Sequence, residues 1–259
     1  MDRVQATIDE IKITLPQANV HALQLDLCDF ASVKAAAEKF QSIETELHIL
    51  LNNAGVATLP YSLTVDGYDA QWSANYMGHH LFTKLLMPTI LRAAGTSKDQ
   101  VRIVNLSSDL HLMAPKEGIL FDNINQPDSG LITRYGHAKL ANLLHTKALA
   151  KRYGGSGKNI VVAAVHPGVV QTDLSAGMFS TMLPESIAKC ISKVFLTPAE
   201  QGCWCSLYAA ASSDVTFEQN GVYFVPVGKT GKPSANGVDE ALADKLWTWT
   251  EAQLALKGY

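Results

Sequence analysis

The sequence predicts an α/β fold with a doubly wound parallel sheet, because short apolar runs alternate with longer segments of helical periodicity. The runs at residues 49–51 and 160–165 lack polar alternation, which is typical of strands buried on both faces. Helical segments of about ten residues or more separate most of the strands, so we expect right-handed crossovers. No repeat, low-complexity tract or linker interrupts the 259 residues, and we predict one domain, residues 1–259.

The elements follow one another with recognisable boundaries. A first helix at residues 2–15 places Val4, Ile8 and Ile11 on one face and ends before Pro16. Asp29 is expected to cap the second helix. The predicted strands are residues 20–27, 49–51, 101–106, 160–165 and 222–225, and the further helices are residues 68–94, 135–154, 198–211 and 240–255. Within the helix at 68–94, we expect His79 and His80 to be a surface feature, since adjacent helical residues diverge.

Composition excludes several classes of protein. The formal net charge of -3 gives no basic field for nucleic acid. Lys84 and Pro88 interrupt the best apolar stretch, so no membrane span is expected, and the absence of a secretory signal favours a cytoplasmic location. The charged fraction of 17% is low, which fits a sheet covered on both faces or a subunit contact, so a homo-oligomer stays open.

The four cysteines form no disulfide framework and are expected to be reduced, buried thiols. Cys203 and Cys205 lie two residues apart in a helical stretch, where their side chains point in different directions. We therefore expect no metal site.

In a doubly wound sheet, ligands bind at the carboxyl ends of the strands. The polar residues at those ends are Asp26, the run Asn52-Asn53-Ala54-Gly55, Ser107-Ser108, and residues 166–172. They are the candidates for a binding groove.

The sharpest candidate is Tyr135 with Lys139. A separation of four residues places both on one helical face, where an ammonium would lower the pKa of a phenol and fit it for proton exchange. Ser108, at the end of a neighbouring strand, could hold the same substrate oxygen. Taken alone, the spacing is more often a solvated helix face than a catalytic pair.

Together, the motifs resemble the short-chain dehydrogenase/reductase family. They occur in one fixed order: Asn-Asn-Ala-Gly at 52–55, Asn75, Ser108, Tyr135 with Lys139, and Pro-Gly-Val-Val-Gln-Thr at 167–172. The string Asn-Leu-Ser-Ser-Asp-Leu-His at 105–111, with the long loop after it, is similar to the retinol-dehydrogenase-like branch. The resemblance covers nearly the whole chain and implies a Rossmann-like fold.

The resemblance also implies an activity and roles for the catalytic residues. The chain would be an NAD(P)-dependent oxidoreductase interconverting a carbonyl and an alcohol. Tyr135 would be the general acid/base, and Lys139 would activate it and bind the nicotinamide ribose. Ser108 would orient the substrate oxygen, and Asn75 would hold a water of a proton relay. Asn75 could instead simply bridge helix backbone groups.

The cofactor would be NADP or NAD. By the same resemblance, Asp26 and Leu27 would contact the adenine, Asn53 would line the cleft, and Val170 and Thr172 would hold the carboxamide, with Tyr135 and Lys139 at the ribose. Asp26 could instead be a helix-start carboxylate. The apolar segment at 173–197 suggests a small to medium lipophilic substrate, or else a helix packed on the core.

One departure from the family is large. The family begins with a strand, a Gly-rich turn and a helix that bind the pyrophosphate, whereas here no glycine precedes Gly55. The glycines at 154–157 join a helix to a strand and are expected to end that helix. The fold is thus predicted without its N-terminal strand-helix-strand unit. We favour a longer natural product over the alternative, a truncated, cofactor-impaired remnant that acts through protein contacts.

Overall fold

The protein is described by a computed structural model, which defines residues 2–171 and 197–259. Within these residues the strands form one sheet in the order β1-β2-β3-β4-β5. The first four strands are parallel, and β5 is antiparallel to β4. The strands are β1 Ile49–Asn52, β2 Val101–Leu106, β3 Ile160–Val165, β4 Tyr223–Val225 and β5 Lys229–Thr230.

Helices connect the strands and cover the sheet. A π-helical turn, Ser73–Met77, joins α3 to α4 without a break. The helices are α1 Asp2–Thr14, α2 Phe30–Gln41, α3 Ala70–Trp72, α4 Gly78–Thr96, α5 Leu131–Tyr153, α6 Ala199–Gly202, α7 Trp204–Ala211, α8 Ala235–Val238 and α9 Glu240–Leu256. The alternation predicted from the sequence is confirmed for the described residues, and β5 and α8 are additions to it.

The main core lies between the sheet and helices α2, α4, α5 and α9. Leu140, Leu144 and Ala148 of α5 are buried in it, as their helical spacing predicts. A second cluster lies on the other face of the sheet, under α7. The predicted caps are confirmed: the Asp29 side chain accepts a hydrogen bond from the Ala31 N–H, and Gly154 ends α5.

The predicted strand at residues 20–27 is wrong. This segment has no ladder partner among the described residues, and it runs alongside the helices instead of joining the sheet. Leu27 is buried, its carbonyl accepts a hydrogen bond from the Ser73 hydroxyl, and Gly78 lies directly against it. A strand-like sequence forms a strand only when a neighbouring strand pairs with its backbone. Residues 20–27 have no such neighbour in the described part of the chain, and their apolar side chains pack on α4 instead.

Strand β1 is buried on one face, not on both as its apolar run predicts. Ile49 is 44% exposed and Leu51 is 38% exposed, whereas Leu50 and Asn52 point into the core. In the described structure β1 is an edge strand, and its second face is incompletely covered. The continuous apolar run therefore predicted more burial than this strand has.

The two adjacent histidines of α4 are buried, so their prediction as a surface feature is wrong. His80 Nε2 lies 2.7 Å from Glu251 Oε1 of α9, and its ring stacks on His145 of α5. His79 lies within electrostatic reach of Lys139 on α5. His80 therefore contacts both α5 and α9, and both adjacent residues of α4 are buried.

Cys205 is buried but Cys203 is exposed, so the prediction of buried thiols is wrong for Cys203. The two side chains point in different directions, as expected for helical residues two positions apart. The described part of the chain contains no group of three histidine, cysteine or acidic side chains placed to hold a metal ion. Among the same residues, no helix has the length and apolar character needed to cross a lipid bilayer.

Gly78 is required where α4 crosses the segment before α2. A Cβ at this position would lie 2.5 Å from the Leu27 carbonyl oxygen, which is backbone and cannot easily move. We expect Gly78→Ala to lower the free energy of unfolding by about 1–3 kcal/mol. A Cβ on Gly95 of the same helix would meet no atom within 4 Å, so Gly95→Ala is the matched control and should raise stability by up to about 1 kcal/mol. Urea unfolding of both variants measures the difference, and equal effects would contradict the close contact.

Candidate active site

Of the polar residues predicted to gather at the strand ends, those at the ends of β1 and β2 lie near the first half of α5. Ser107 and Ser108 directly follow β2, and Asn52 ends the neighbouring strand β1. Tyr135 and Lys139 face them from α5. Tyr135 is 5% exposed and Lys139 is 4% exposed, so this pair is not a solvated helix face.

Gly136 allows α5 to approach the turn that carries Ser108. A Cβ on Gly136 would lie 2.5 Å from the Leu110 carbonyl oxygen, so a larger residue would push the helix away from the 3-10 helix Asp109–Met113. With the two elements in contact, the Tyr135 hydroxyl lies close enough to the Ser108 side chain for Ser108 to act on the pKa of the phenol. The Ser108 Oγ also accepts a hydrogen bond from the Leu110 N–H at 3.2 Å, which caps the short helix.

The Lys139 ammonium lies within the same cluster. Its Nζ is 5.5 Å from the centroid of the Tyr135 ring and donates a hydrogen bond to the Leu106 carbonyl at 3.1 Å. The Ser107 hydroxyl donates to the Lys139 carbonyl at 2.8 Å, which joins the end of β2 to α5. The cluster therefore has one backbone scaffold, made of the end of β2 and the second turn of α5.

Asn75 lies in the π-helical turn and contacts the Asn-Asn-Ala-Gly segment. Its Nδ2 donates to the carbonyls of Gln71 and Val56, and its Oδ1 accepts from the Val56 N–H. Gly55 is needed here, because its Cβ would lie 2.5 Å from Asn75 Oδ1 and 3.5 Å from Lys139 Nζ. Asn75 thus bridges backbone groups, as one interpretation of the sequence expected, and it does so beside Lys139.

The expected effect of Lys139 on the pKa of Tyr135 is wrong for this structure. Burial raises the pKa of Tyr135 to about 12, although the hydrogen bond from Ser108 acts in the opposite direction. Burial also lowers the pKa of Lys139 to about 8. Desolvation disfavours the charged form of both groups, and here it outweighs their mutual attraction. At pH 7 the phenol is therefore neutral.

The residues assigned to the adenine and the cleft are not hydrogen-bonded to this cluster. Asp26 is exposed, its Oδ1 accepts from the Cys28 N–H, and its own N–H donates to Ser32, so it forms a turn before α2. Asn53 is exposed, whereas the adjacent Asn52 is buried.

Val170 is half-buried and pairs through the backbone with Thr197. Thr172 and almost all of the segment at 173–197 lie outside the described residues. Their assigned roles therefore stay predictions.

A layer of buried amides below the cluster was missed by the sequence analysis. Asn52 Nδ2 donates to Asn105 Oδ1 at 2.8 Å, and Asn105 Nδ2 donates to the Thr146 hydroxyl. Asn142 Nδ2 donates to the Leu106 carbonyl at 2.7 Å, the same oxygen that Lys139 uses. Asparagines inside otherwise apolar strands were the available signal, since such amides need partners when buried.

The sequence matches a family described as enoyl-(acyl carrier protein) reductase over residues 1–219. It is 41% identical to the short-chain dehydrogenase/reductase drtF of Aspergillus calidoustus, across 97% of this chain and 82% of that protein. The chain belongs to the short-chain dehydrogenase/reductase family. This dehydrogenase/reductase is also 36% identical to mouse retinol dehydrogenase 12, across 94% of this chain and 72% of that one. It lies in the retinol-dehydrogenase-like branch, and its enzyme class is oxidoreductase.

Solved structures support the Rossmann-like α/β fold of this dehydrogenase/reductase. An uncharacterised protein of Mycobacterium paratuberculosis superposes with a TM-score of 0.66 at 28% identity, covering 88% of this chain and 73% of its own. The NADPH-bound carbonyl reductase from chicken fatty liver superposes with a TM-score of 0.57 at 21% identity, covering 88% and 82%. The second likeness concerns the fold alone.

The burial of Lys139 has a measurable cost in stability. A lysine pKa that falls from 10.5 to about 8 on folding corresponds to at most about 3 kcal/mol. Because the unfolded chain binds the proton more tightly, this penalty is complete below pH 8 and disappears as the pH rises towards 10.5. We expect Lys139→Met to unfold at a higher temperature than wild type at pH 7, with the difference shrinking between pH 8 and 10.5.

Thermal unfolding of both proteins across pH 6.5–10.5 measures this difference. Lys147→Met, at a half-buried position of the same helix, is the control and should show no such trend. A Lys139→Met variant that is less stable than wild type at pH 7 would contradict the argument.

Proposed function

We propose that this dehydrogenase/reductase interconverts a carbonyl and an alcohol on a small to medium lipophilic substrate, using NADP or NAD. The observation that carries the proposal is the convergence of the Tyr135 hydroxyl, the Ser108 hydroxyl and the Lys139 ammonium in one buried cluster. A phenol, a hydroxyl and a cation in such a place can bind an oxygen and move a proton at it.

The protonation state of Tyr135 favours carbonyl reduction as the reaction for which the free site is prepared. A neutral phenol can donate its proton to a carbonyl oxygen as that oxygen becomes negative. The Ser108 hydroxyl can donate a second hydrogen bond to the same oxygen. The tyrosinate that forms is then stabilised by the Lys139 ammonium, whose Nζ lies 5.5 Å from the ring centroid.

The described residues fit the nicotinamide ribose end of a cofactor. An ammonium has three N–H donors, and the described contacts of Lys139 use one of them, at the Leu106 carbonyl. Lys139 could therefore also hold ribose hydroxyls, with Tyr135 beside it. The bound nicotinamide supplies or accepts the hydride.

The pyrophosphate end of the cofactor has no corresponding cradle in the described structure. No glycine-rich turn from a strand to a helix precedes Gly55. Val170 and the undescribed Thr172 stay candidates for the carboxamide, Asn53 for the cleft, and Asp26 with Leu27 for the adenine. We prefer NADP as a family expectation, and nothing in the described residues favours it over NAD.

A lipophilic substrate is supported by exposed apolar side chains in two segments that follow strands β2 and β3. Leu112 and Met113, in the 3-10 helix that Ser108 caps, and Val169, after β3, are each about half exposed. Exposed apolar side chains grouped beside a polar cluster are typical of a binding cleft for an apolar ligand.

Tyr135→Phe tests the proton step. The variant should lose at least about 100-fold in turnover, because it removes the transferred proton but keeps the ring packing. Binding of NADPH or NADH, followed by cofactor fluorescence, should stay within about threefold of wild type. Tyr153→Phe at the other end of α5 is the control and should keep wild-type turnover.

Retained turnover in Tyr135→Phe would remove Tyr135 from the mechanism. A wild-type chain that is folded but binds neither cofactor would instead favour a role through protein contacts. The exposed apolar face of β1 would then be the first surface to examine.

A further inference from the structure

Asp109 directly follows Ser108 and contacts one residue of β4 and the first residue after β3. Its Oδ1 accepts a hydrogen bond from the Tyr223 hydroxyl of β4 at 2.8 Å. Its Oδ2 lies 3.3 Å from Nε2 of His166, the first residue after β3. The Asp109 side chain is 59% exposed, yet both oxygens have a partner whose own residue is buried.

These contacts fix the turn that presents Ser108. The turn leaves the sheet at the end of β2, and the Asp109 carboxylate connects it to the residue after β3 and to the first residue of β4. On the other side, His111 Nδ1 donates to the Ser108 carbonyl at 2.7 Å, while His111 Nε2 accepts from the Ser234 N–H at 2.9 Å. The backbone around Ser108 is thus held from several directions.

The partners of Asp109 are in the protonation states that this arrangement needs. Burial raises the pKa of Tyr223, and Asp109 raises it further, so the phenol stays a hydrogen-bond donor. Burial lowers the pKa of His166 more than the carboxylate raises it. A neutral His166 with its proton on Nε2 can still direct that N–H towards Asp109.

We propose that Asp109 is a positioning residue of the active site, which fixes the Ser108 hydroxyl by tying its turn to Tyr223 and His166. The inference rests on the proposed function for its catalytic consequence, whereas the tie itself is a property of the fold. Because the Ser108 side chain lies close to the Tyr135 hydroxyl, a shift of this turn would change the relative position of the two groups proposed to hold the substrate oxygen. Displacements of this kind reduce turnover more than they reduce substrate binding.

Two variants of Asp109 distinguish the loss of its contacts from the loss of its charge. Asp109→Ala removes both contacts and should lower kcat by about ten- to a hundredfold, with KM within about twofold. Asp109→Asn keeps an oxygen acceptor for Tyr223 and should recover much of that loss. Tyr223→Phe removes one contact and should resemble Asp109→Asn. Asp128→Ala, which deletes an exposed carboxylate in the loop before α5, is the matched control and should keep the wild-type kcat.

Amide hydrogen exchange tests the tie without any turnover. The Leu110 and His111 N–H groups donate to Ser108 Oγ and to the Ser108 carbonyl. Their exchange should accelerate by about tenfold or more in Asp109→Ala, less in Asp109→Asn, and not in Asp128→Ala.

The two measurements distinguish failure of this inference from failure of the proposed function. If wild type reduces no lipophilic aldehyde or ketone with either cofactor, the function fails, and hydrogen exchange still decides the tie. If wild type turns over and Asp109→Ala keeps kcat within twofold, the positioning role is overturned while the function stands. A change confined to KM, or unchanged exchange at Leu110 and His111, also overturns it.

Discussion

The close approach of α5 to the carboxyl ends of β1 and β2 is the constraint on which the rest of the site depends. Gly136 allows α5 to approach the 3-10 helix after β2, since a Cβ there would lie 2.5 Å from the Leu110 carbonyl oxygen, and Gly55 leaves room after β1 for Asn75, whose Oδ1 would lie 2.5 Å from a Cβ. Once the helix is in place, its second turn brings Tyr135 and Lys139 against Ser108 and Leu106.

This close contact buries polar groups, which must then form hydrogen bonds with one another because they cannot reach water. The Leu106 carbonyl accepts from both Lys139 and Asn142, and the amides of Asn52 and Asn105 are paired in the layer below. Buried and fully paired polar groups define one arrangement of the elements more sharply than apolar contacts do. The amide layer therefore fixes the position of α5 relative to the strands. This position in turn places Tyr135 and Lys139, which lie on α5, opposite Ser108.

The same burial lowers the stability of the folded protein. A lysine inside the protein, with its pKa lowered to about 8, lowers the stability of the folded chain at neutral pH. A tyrosine with its pKa raised to about 12 is held neutral in a place where a negative charge would have to form during proton transfer. Groups that are unfavourable for folding and gathered in one cluster are typical of functional sites.

The sequence by itself determined the order of strands β1 to β4 and of helices α4, α5, α7 and α9, the caps at Asp29 and Gly154, and the candidates Ser108, Tyr135, Lys139 and Asn75. These features depend on local periodicity, capping chemistry and short motifs, each of which involves residues close together in the sequence. The order of motifs was also sufficient to identify the family that the comparisons then showed.

Only the tertiary structure decided which groups are buried and what they contact. It showed that residues 20–27 form no strand, that β1 has an exposed face, and that His79 and His80 are enclosed. It also reversed the expected pKa shift of Tyr135 and revealed the contacts of Asp109. Burial and pairing are set by elements distant in sequence, and desolvation depends on how completely those elements close over a group, so a local pattern cannot specify them.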